Sequence, residues 1–282
     1  MNFIEQYKNI NIKIDLNQLL EISKKTALLG SEILLKNYNN IQNISSKGRQ
    51  GDLVTNVDLE IEKVIKDYLI KNTPDISILA EESGKDDRSS ELIWCIDPLD
   101  GTTNYTHGYP FFGTSVALAY NGIPLLGSIS VPYLNELYWG CIGKGSFCNG
   151  KSIRVSKPRN LLNSLLVTGF AYDRFETEDN NYAEFCSLTH KTRGVRRGGS
   201  AAIDLAFVAS GKLDGFWERG LSIWDIAAGA IIVSEAGGIV SNYPDGEFDL
   251  NSGRILACSP LIEFELKEEL SKVTPLSINN YS

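Results

Sequence analysis

Apolar residues recur at near-helical spacing over 16–39, at Leu16, Leu19, Leu20, Ala27, Leu28, Ile33, Leu34 and Tyr38. A polar loop follows at 45–51. A second helical stripe then runs over 56–70 through Val57, Ile61, Val64, Ile65 and Leu69. Thr55-x-x-Asp58 resembles a capping box at its start, which puts Asp58 in the first helical turn beside the loop. The pattern then shortens to strand length. Apolar runs occupy 76–80 and 92–96, and Asn121-Gly122 and Asn149-Gly150 are hairpin turns between strand-like segments. From about 160 the texture alternates: strands at 164–168, 193–196, 213–218 and near 239 and 255, helices at 178–190, 200–210, 225–236 and 261–271. Gly237-Gly238 supplies a C-cap for the 225–236 helix. The pattern predicts an α/β (α+β) protein packed in layers, with a helix-plus-antiparallel-sheet lobe over 1–155 and an α/β lobe over 156–282.

Composition narrows the functional classes. The chain has 282 residues, 43% hydrophobic and 22% charged, which suits a soluble globular protein of one large domain or two lobes. Its net charge of −8, from 27 basic and 35 acidic residues, argues against nucleic acid as a partner. It does not exclude an anionic substrate, because a bound metal inverts the local field. Cys95, Cys141, Cys148, Cys186 and Cys258 are odd in number and irregularly spaced, and read as reduced thiols of a cytoplasmic protein. The segment 1–11 lacks the pattern of a signal peptide, and no run approaches the ~20 apolar residues of a membrane helix, so no membrane partner is expected. His107 and His190 are too few for most zinc sites or for a histidine-based hydrolase. His107 reads as a loop histidine bonded to backbone.

Acidic residues change the picture. An apolar run ends at Asp97, Pro98 turns the chain, Asp100 is brought round, and Gly101-Thr102-Thr103 follows. Glu81 ends the run before it, and Asp225 follows Trp224 at the start of an apolar helix. Taken singly these are a turn, a solvated pair with Glu82, and an N-cap, while Asp58 is a first-turn acid. If the apolar runs they follow are neighbouring strands and a helix start, Glu81, Asp97, Asp100 and Asp225 converge at one sheet edge. Four carboxylates there would repel one another, so cations should accompany them. Oxygen donors without nitrogen or sulfur alternatives indicate Mg²⁺, or Mn²⁺, before Zn²⁺. Two or three such ions beside a phosphate suit phosphoryl chemistry. Glycine at 101 lets backbone approach closely, and the amides after it form a natural phosphate seat.

The chain resembles the inositol monophosphatase family, in its bacterial-type branch. The resemblance runs from the stretch at 52–58 to Gly253-Arg254-Ile255-Leu256-Ala257. Its signature segments are Asp97-Pro98-Leu99-Asp100-Gly101-Thr102-Thr103-Asn104-Tyr105 and Trp224-Asp225-Ile226-Ala227-Ala228-Gly229, the second continuing into Glu235-Ala236-Gly237-Gly238. Phe147-Cys148-Asn149-Gly150-Lys151 and Gly199-Ser200-Ala201-Ala202 also match. The resemblance implies a layered α-β-α-β-α sandwich of the sugar phosphatase type, a homodimer, lithium sensitivity, and two to three Mg²⁺ per site. It implies that Glu81, Asp97 and the Leu99 carbonyl hold one metal, that Asp97, Asp100 and Asp225 hold a second, and that Glu81 with waters holds a third. Thr102 and Asp58 would position and deprotonate the attacking water, with Glu81 in the same machinery. Gly101 and Thr102 amides would bind phosphate, and Ala201 and Glu218, with Asp100, would meet the substrate. The segment Val167-Thr168-Gly169-Phe170-Ala171-Tyr172-Asp173 aligns with a substrate-side loop that varies within the family.

Thr103-Asn104-Tyr105 resembles the inositol phosphatase branch, and Glu218 suits a polyol because a carboxylate accepts hydroxyl hydrogens. The expected activity is therefore Mg-dependent hydrolysis of myo-inositol phosphate. Fructose-1,6-bisphosphatase or broad sugar phosphatase activity stands second, and histidinol phosphatase third. A regulatory binding protein on a phosphatase scaffold is the alternative of a different class.

Overall fold

The computed structural model describes residues 14–40, 44–46, 48 and 53–276. The segment 1–11, Asp52, and Lys47 and 49–51 of the polar loop lie outside the described residues.

Helix α1 (Leu16–Asn37) leads to the short pair β1 (Ile44–Ser46) and β2 (Leu53–Thr55) and then to α2 (Asn56–Asn72). Next come β3 (Ser77–Ala80), β4 (Gly84–Lys85), β5 (Leu92–Asp100), α3 (Thr102–Thr106), β6 (Gly113–Tyr120), β7 (Ile123–Val131), β8 (Glu136–Cys141), β9 (Gly145–Cys148) and β10 (Lys151–Ser152). The second half holds β11 (Leu165–Thr168), α4 (Tyr182–Lys191), β12 (Gly194–Arg196), α5 (Ala201–Ala209), β13 (Gly215–Arg219), α6 (Ile223–Glu235), β14 (Ile239–Ser241), β15 (Arg254–Cys258) and α7 (Glu263–Ser271).

The large sheet has the order β10-β9-β8-β7-β6-β5-β3-β4, and the small one β12-β11-β13-β15-β14. Alternation along β5 sends Trp94 and Ile96 to one face of the large sheet and Cys95 to the other. On the first face they pack with Leu19, Leu20 and Leu34 of α1 and Ile61, Ile65 and Leu69 of α2. On the second face, Cys95, Ala117 and Ile129 meet Ala202 and Leu205 of α5 and Ile231 of α6, which also cover Phe216 and Ala257 of the small sheet. Leu166, Trp217 and Leu256 on the far side of that sheet close against Leu188 of α4 and Leu266 of α7. The result is the α-β-α-β-α layering. Helices α5 and α6 lie between two sheets, and this is why they read as apolar all round rather than as a stripe.

The helix expected over 178–190 starts only at Tyr182, because Asn181 takes a left-handed conformation at φ 68°. The helix expected from 225 starts at Ile223. Ser222 is its N-cap, and Asp225 is the third helical residue, completing a capping box. Both Asn-Gly turns hold positive φ at both positions, with Tyr120 facing Ile123 and Cys148 facing Lys151, as two-residue hairpins require.

Candidate active site

The first two acids owe their juxtaposition to a bulge. Asp97 pairs with Ser115 of β6, yet Asp100 pairs with Gly113, so β5 carries one extra residue between them. Residues three apart in a regular strand point to opposite faces. The extra residue cancels that, and both carboxylates reach the same cavity. Pro98 has no N–H to lose within the bulge, and its carbonyl accepts from Thr114 Oγ1 at 3.0 Å. The sequence predicts a turn at Pro98 here. The segment is instead the irregular end of a nine-residue strand.

Gly101 follows at φ 92°, where a Cβ would stand 2.8 Å from the Phe111 carbonyl oxygen, so only glycine fits. It caps α3, whose first residue, Thr102, donates from Oγ1 to the Leu99 carbonyl at 3.0 Å. The same hydroxyl lies 3.4 Å from Asp58 Oδ1. The other oxygen of Asp58 accepts from the Thr55 amide at 2.8 Å and from its hydroxyl, closing the capping box the sequence announced. Asp58 is fully buried and stands behind Thr102 rather than on the cavity wall.

Glu81 leaves the end of β3, which runs parallel to β5 with Ala80 beside Ile96, and its amide donates to the Ile96 carbonyl at 3.2 Å. It therefore emerges next to Asp97. Two helix starts complete the ring. Asp100 Oδ2 accepts from Ser200 Oγ at 2.6 Å and from the Ala202 amide at 2.7 Å, at the head of α5. Asp225 Oδ2 accepts from the Ser222 amide at 2.7 Å, at the head of α6. Glu218 comes from β13, and Gly169 opposite makes room for it: a Cβ there would sit 2.2 Å from the carboxylate oxygens. Glu81, Asp97, Asp100, Thr102, Glu218 and Asp225, with the backbone of Leu99, Gly101 and Ala201, line one cavity of about 430 Å³.

Burial and neighbouring like charge push Asp58, Asp97, Asp100, Glu218 and Asp225 upward. Asp97 is held well above the usual carboxylate range by burial, then by Glu81, Asp100 and Asp225. Asp225 rises for burial and for Glu81 and Asp100, although the Ser222 amide opposes it. Asp100 is pushed to about 6 by burial, with the Ser200 and Ala202 bonds holding it down. Asp58 rises to about 6 for burial, against its bonds with Thr55. Burial takes Glu218 to about 8, opposed by the nearby Arg197.

A cluster of buried and half-buried carboxylates around one cavity, without cysteine or histidine among them, fits hard divalent cations. Among the described residues, however, no three His, Cys, Asp or Glu side chains are drawn close enough to form a ready cage. The expected ligands line a shared cavity, and Asp97, Asp100 and Asp225 are each engaged with chain donors at Leu99, Ser200 and Ala202, and Ser222.

The sequence assigns no role to some residues of the site. Ser200, inside the family-matching run 199–202, anchors Asp100 and caps α5. Glu62, one turn after Asp58 on α2, is buried and accepts from the Glu82 amide at 2.9 Å, fixing the segment next to Glu81. Asp204 is buried behind the cavity, raised by burial and by Glu218. Glu218 does not pair with Arg219. Neighbours on a strand point oppositely, and Arg219 turns to Asp173. His107 binds backbone, its Nδ1 lying 2.8 Å from the Thr103 carbonyl.

The sequence profile of the inositol monophosphatase family matches residues 15–275. The chain is 48% identical over 269 residues to the inositol-1-monophosphatase of Synechocystis sp., covering 95% of this chain and 93% of that one. It is 37% identical over 262 residues to the Nus factor SuhB of Pasteurella multocida, covering 92% and 97%. The solved inositol monophosphatase of Anabaena superposes with a TM-score of 0.85 at 46% identity, over 93% of this chain and 99% of that chain. A profile that spans both sheets, relatives matched along nearly their whole length and a shared layered fold lead to one conclusion: the chain belongs to the inositol monophosphatase family and is a phosphatase.

Proposed function

We propose that the cavity is the active site of a Mg²⁺-dependent hydrolase of phosphorylated polyols, with myo-inositol monophosphate as the preferred substrate. The observation that carries this reading is the bulge in β5, which aims Asp97 and Asp100 at the same cavity as Glu81, Asp225 and Glu218. Glu81, Asp97, Asp100, Asp225 and the Leu99 carbonyl would hold two to three Mg²⁺, or Mn²⁺. When bound, such ions lower the pKa of water and neutralise charge on the phosphoryl and leaving oxygens.

The chain's own groups do the rest. Gly101 and Thr102 present amides at the head of α3 to a phosphoryl oxygen. The Thr102 hydroxyl orients the attacking water, and Asp58 behind it is the acceptor toward which the proton moves. Water attacks phosphorus, the P–O ester bond breaks, and the leaving alkoxide takes a proton from solvent while Asp58 returns to solvent the one it accepted. No residue is phosphorylated on this route. Glu218 and the backbone at Ala201 take the ring hydroxyls, next to Asp100.

The name of the Synechocystis relative supports inositol phosphate over fructose-1,6-bisphosphate and histidinol phosphate. The name of the Pasteurella relative favours a second reading, a regulatory protein on a phosphatase scaffold. The acids Asp58, Glu81, Asp97, Asp100 and Asp225, together with Thr102, are all in place around or behind one cavity, and they favour catalysis. Lithium inhibition, a homodimer, a cytoplasmic location and the absence of a nucleic-acid partner belong to the same reading. Among the described residues no helix is long and apolar enough to cross a membrane.

The test is a side-by-side panel of inositol 1-phosphate, fructose-1,6-bisphosphate, histidinol phosphate and p-nitrophenyl phosphate, with Mg²⁺ and with excess chelator. Inositol phosphate should give the highest kcat/KM, and chelator should abolish turnover. A higher kcat/KM for another ester would reassign the substrate. Full turnover in metal-stripped enzyme would overturn the metal reading.

A further inference from the structure

The loop at 169–181 leaves β11, borders the cavity with Gly169, Phe170, Ala171 and Tyr172, and returns into α4. Its ends are pinned by ordinary contacts. Phe170 packs its ring 5.1 Å from Tyr182, and the Asn181 amide donates to Thr168 Oγ1 and the Gly169 carbonyl at 2.7 Å. Its middle is held differently. Arg219 of β13 forks Asp173 with bonds of 2.7 and 3.1 Å, and its Nε stands 3.7 Å from Asp179 Oδ1. Arg254 of β15 binds the other oxygen of Asp179.

Arg219 and Arg254 are directly opposite each other in the antiparallel β13–β15 pair. Like charges at such positions repel, and the Arg219 side chain is only 9% exposed. A buried guanidinium without a carboxylate is costly. Both acids that relieve it come from the cavity-lining loop. Arg219 Nε makes no hydrogen bond, so a donor remains on the side that faces Asp179. The loop also rides on the end of β13: a Cβ on Gly220 would stand 2.4 Å from the Ala171 Cβ. Glu218 and Arg219, consecutive on β13, thus face the cavity and the loop respectively.

We propose that Arg219 and Arg254 form an electrostatic latch that holds the 169–181 loop as the cavity wall, and that these positioning residues set affinity for the alcohol portion of the substrate. The proposal rests on the reading that this cavity binds a phosphomonoester with its alcohol beside Glu218.

Asp173→Asn tests it with little risk to folding, because Asp173 is about one third exposed, its side chain at 32%. Arg219→Lys keeps the charge but loses the fork. Removing a charge-assisted bidentate pair should raise KM for inositol 1-phosphate by about 5- to 30-fold, with kcat within about twofold. The inhibition constant of inorganic phosphate, which needs only the phosphate seat, should be unchanged. Hydrogen exchange at 170–181 should quicken while the β13 amides stay protected. Added KCl should raise KM of the wild type and act less on Asp173→Asn. A loss in kcat at constant KM, or unchanged KM with unchanged exchange, overturns the latch. If Arg219→Lys fails to fold, Asp173→Asn alone decides. If the wild type hydrolyses none of these esters, the reading of the site fails, while the exchange measurement still decides whether the arginines hold the loop.

Discussion

On one side of the cavity, Glu81, Asp97, Asp100 and Asp225 stand at the ends of β3 and β5 and at the head of α6, each fixed by a hydrogen bond with the main chain, to the Ile96 carbonyl for Glu81 and from the Leu99, Ala202 and Ser222 amides for the three aspartates. On the other side, Glu218 is also on a strand, but the wall around it is a loop held by ion pairs to residues 46 and 75 positions away. The first wall concentrates like charge, which the proposed cations would neutralise. The second distributes opposite charges between a loop and two strands, where salt and small movements act. Damage to the first should therefore appear in turnover, and damage to the second in affinity.

The first wall should break hardest. Asp100→Asn keeps an acceptor for Ser200 and Ala202, so the fold should survive. Loss of one metal-binding charge should lower kcat by roughly 10²- to 10⁴-fold. Steady-state kinetics with a melting curve on the same sample checks this. An Asn variant that kept a third of the wild-type turnover would remove Asp100 from the proposed metal site.

Glu218→Gln probes the boundary between the walls. A charge-assisted hydrogen bond to ring hydroxyls contributes ~1.5–3 kcal/mol. The expected loss in kcat/KM for inositol phosphate is about 10- to 100-fold. Hydrolysis of p-nitrophenyl phosphate, which has no hydroxyls there, should hardly change. Equal losses on both substrates would move Glu218 to the metal wall.

The same contrast explains what the sequence could reveal. Acids that end apolar runs are local features, so the gathering of Glu81, Asp97, Asp100 and Asp225 around one cavity is legible from those positions, as is the Thr55–Asp58 capping box. The way Asp100 is brought round was misread, because a bulge is a property of the register with β6 and not of the four residues in it. Helix α4 was expected several residues too early for a related reason. Asp179 bonds Arg254, and Asn181 accepts from Trp217 Nε1 at 2.6 Å, so distant partners override helix propensity there. Ser200 and Glu62 look like an ordinary cap and an ordinary helix acid until the sheets bring Asp100 and Glu82 to them.

The smallest expected effect concerns stability, and it separates charge repulsion from packing. Asp58 and Asp100 have folded values of about 6 against an ordinary 3.8, and Glu218 about 8 against 4.5. A carboxyl whose value is raised on folding binds more protons in the folded state than in the unfolded one. Its contribution is fully present below the ordinary value and is lost as pH rises through the folded value. The metal-free protein should therefore be more stable near pH 5 than near pH 7.5, with Tm falling by about 3–10 °C between them. Mg²⁺ favours the charged carboxylates, so it should raise Tm more at pH 7.5 than at pH 5 and flatten the profile. Differential scanning calorimetry on chelated and Mg²⁺-loaded samples measures both slopes. Asp173→Asn, on the other wall, should lower Tm at both pH values by a similar amount and leave the Mg²⁺ response intact. A metal-free Tm that rises with pH, or a Mg²⁺ response equal at both pH values, would mean that the clustered acids are not the charge the cation relieves.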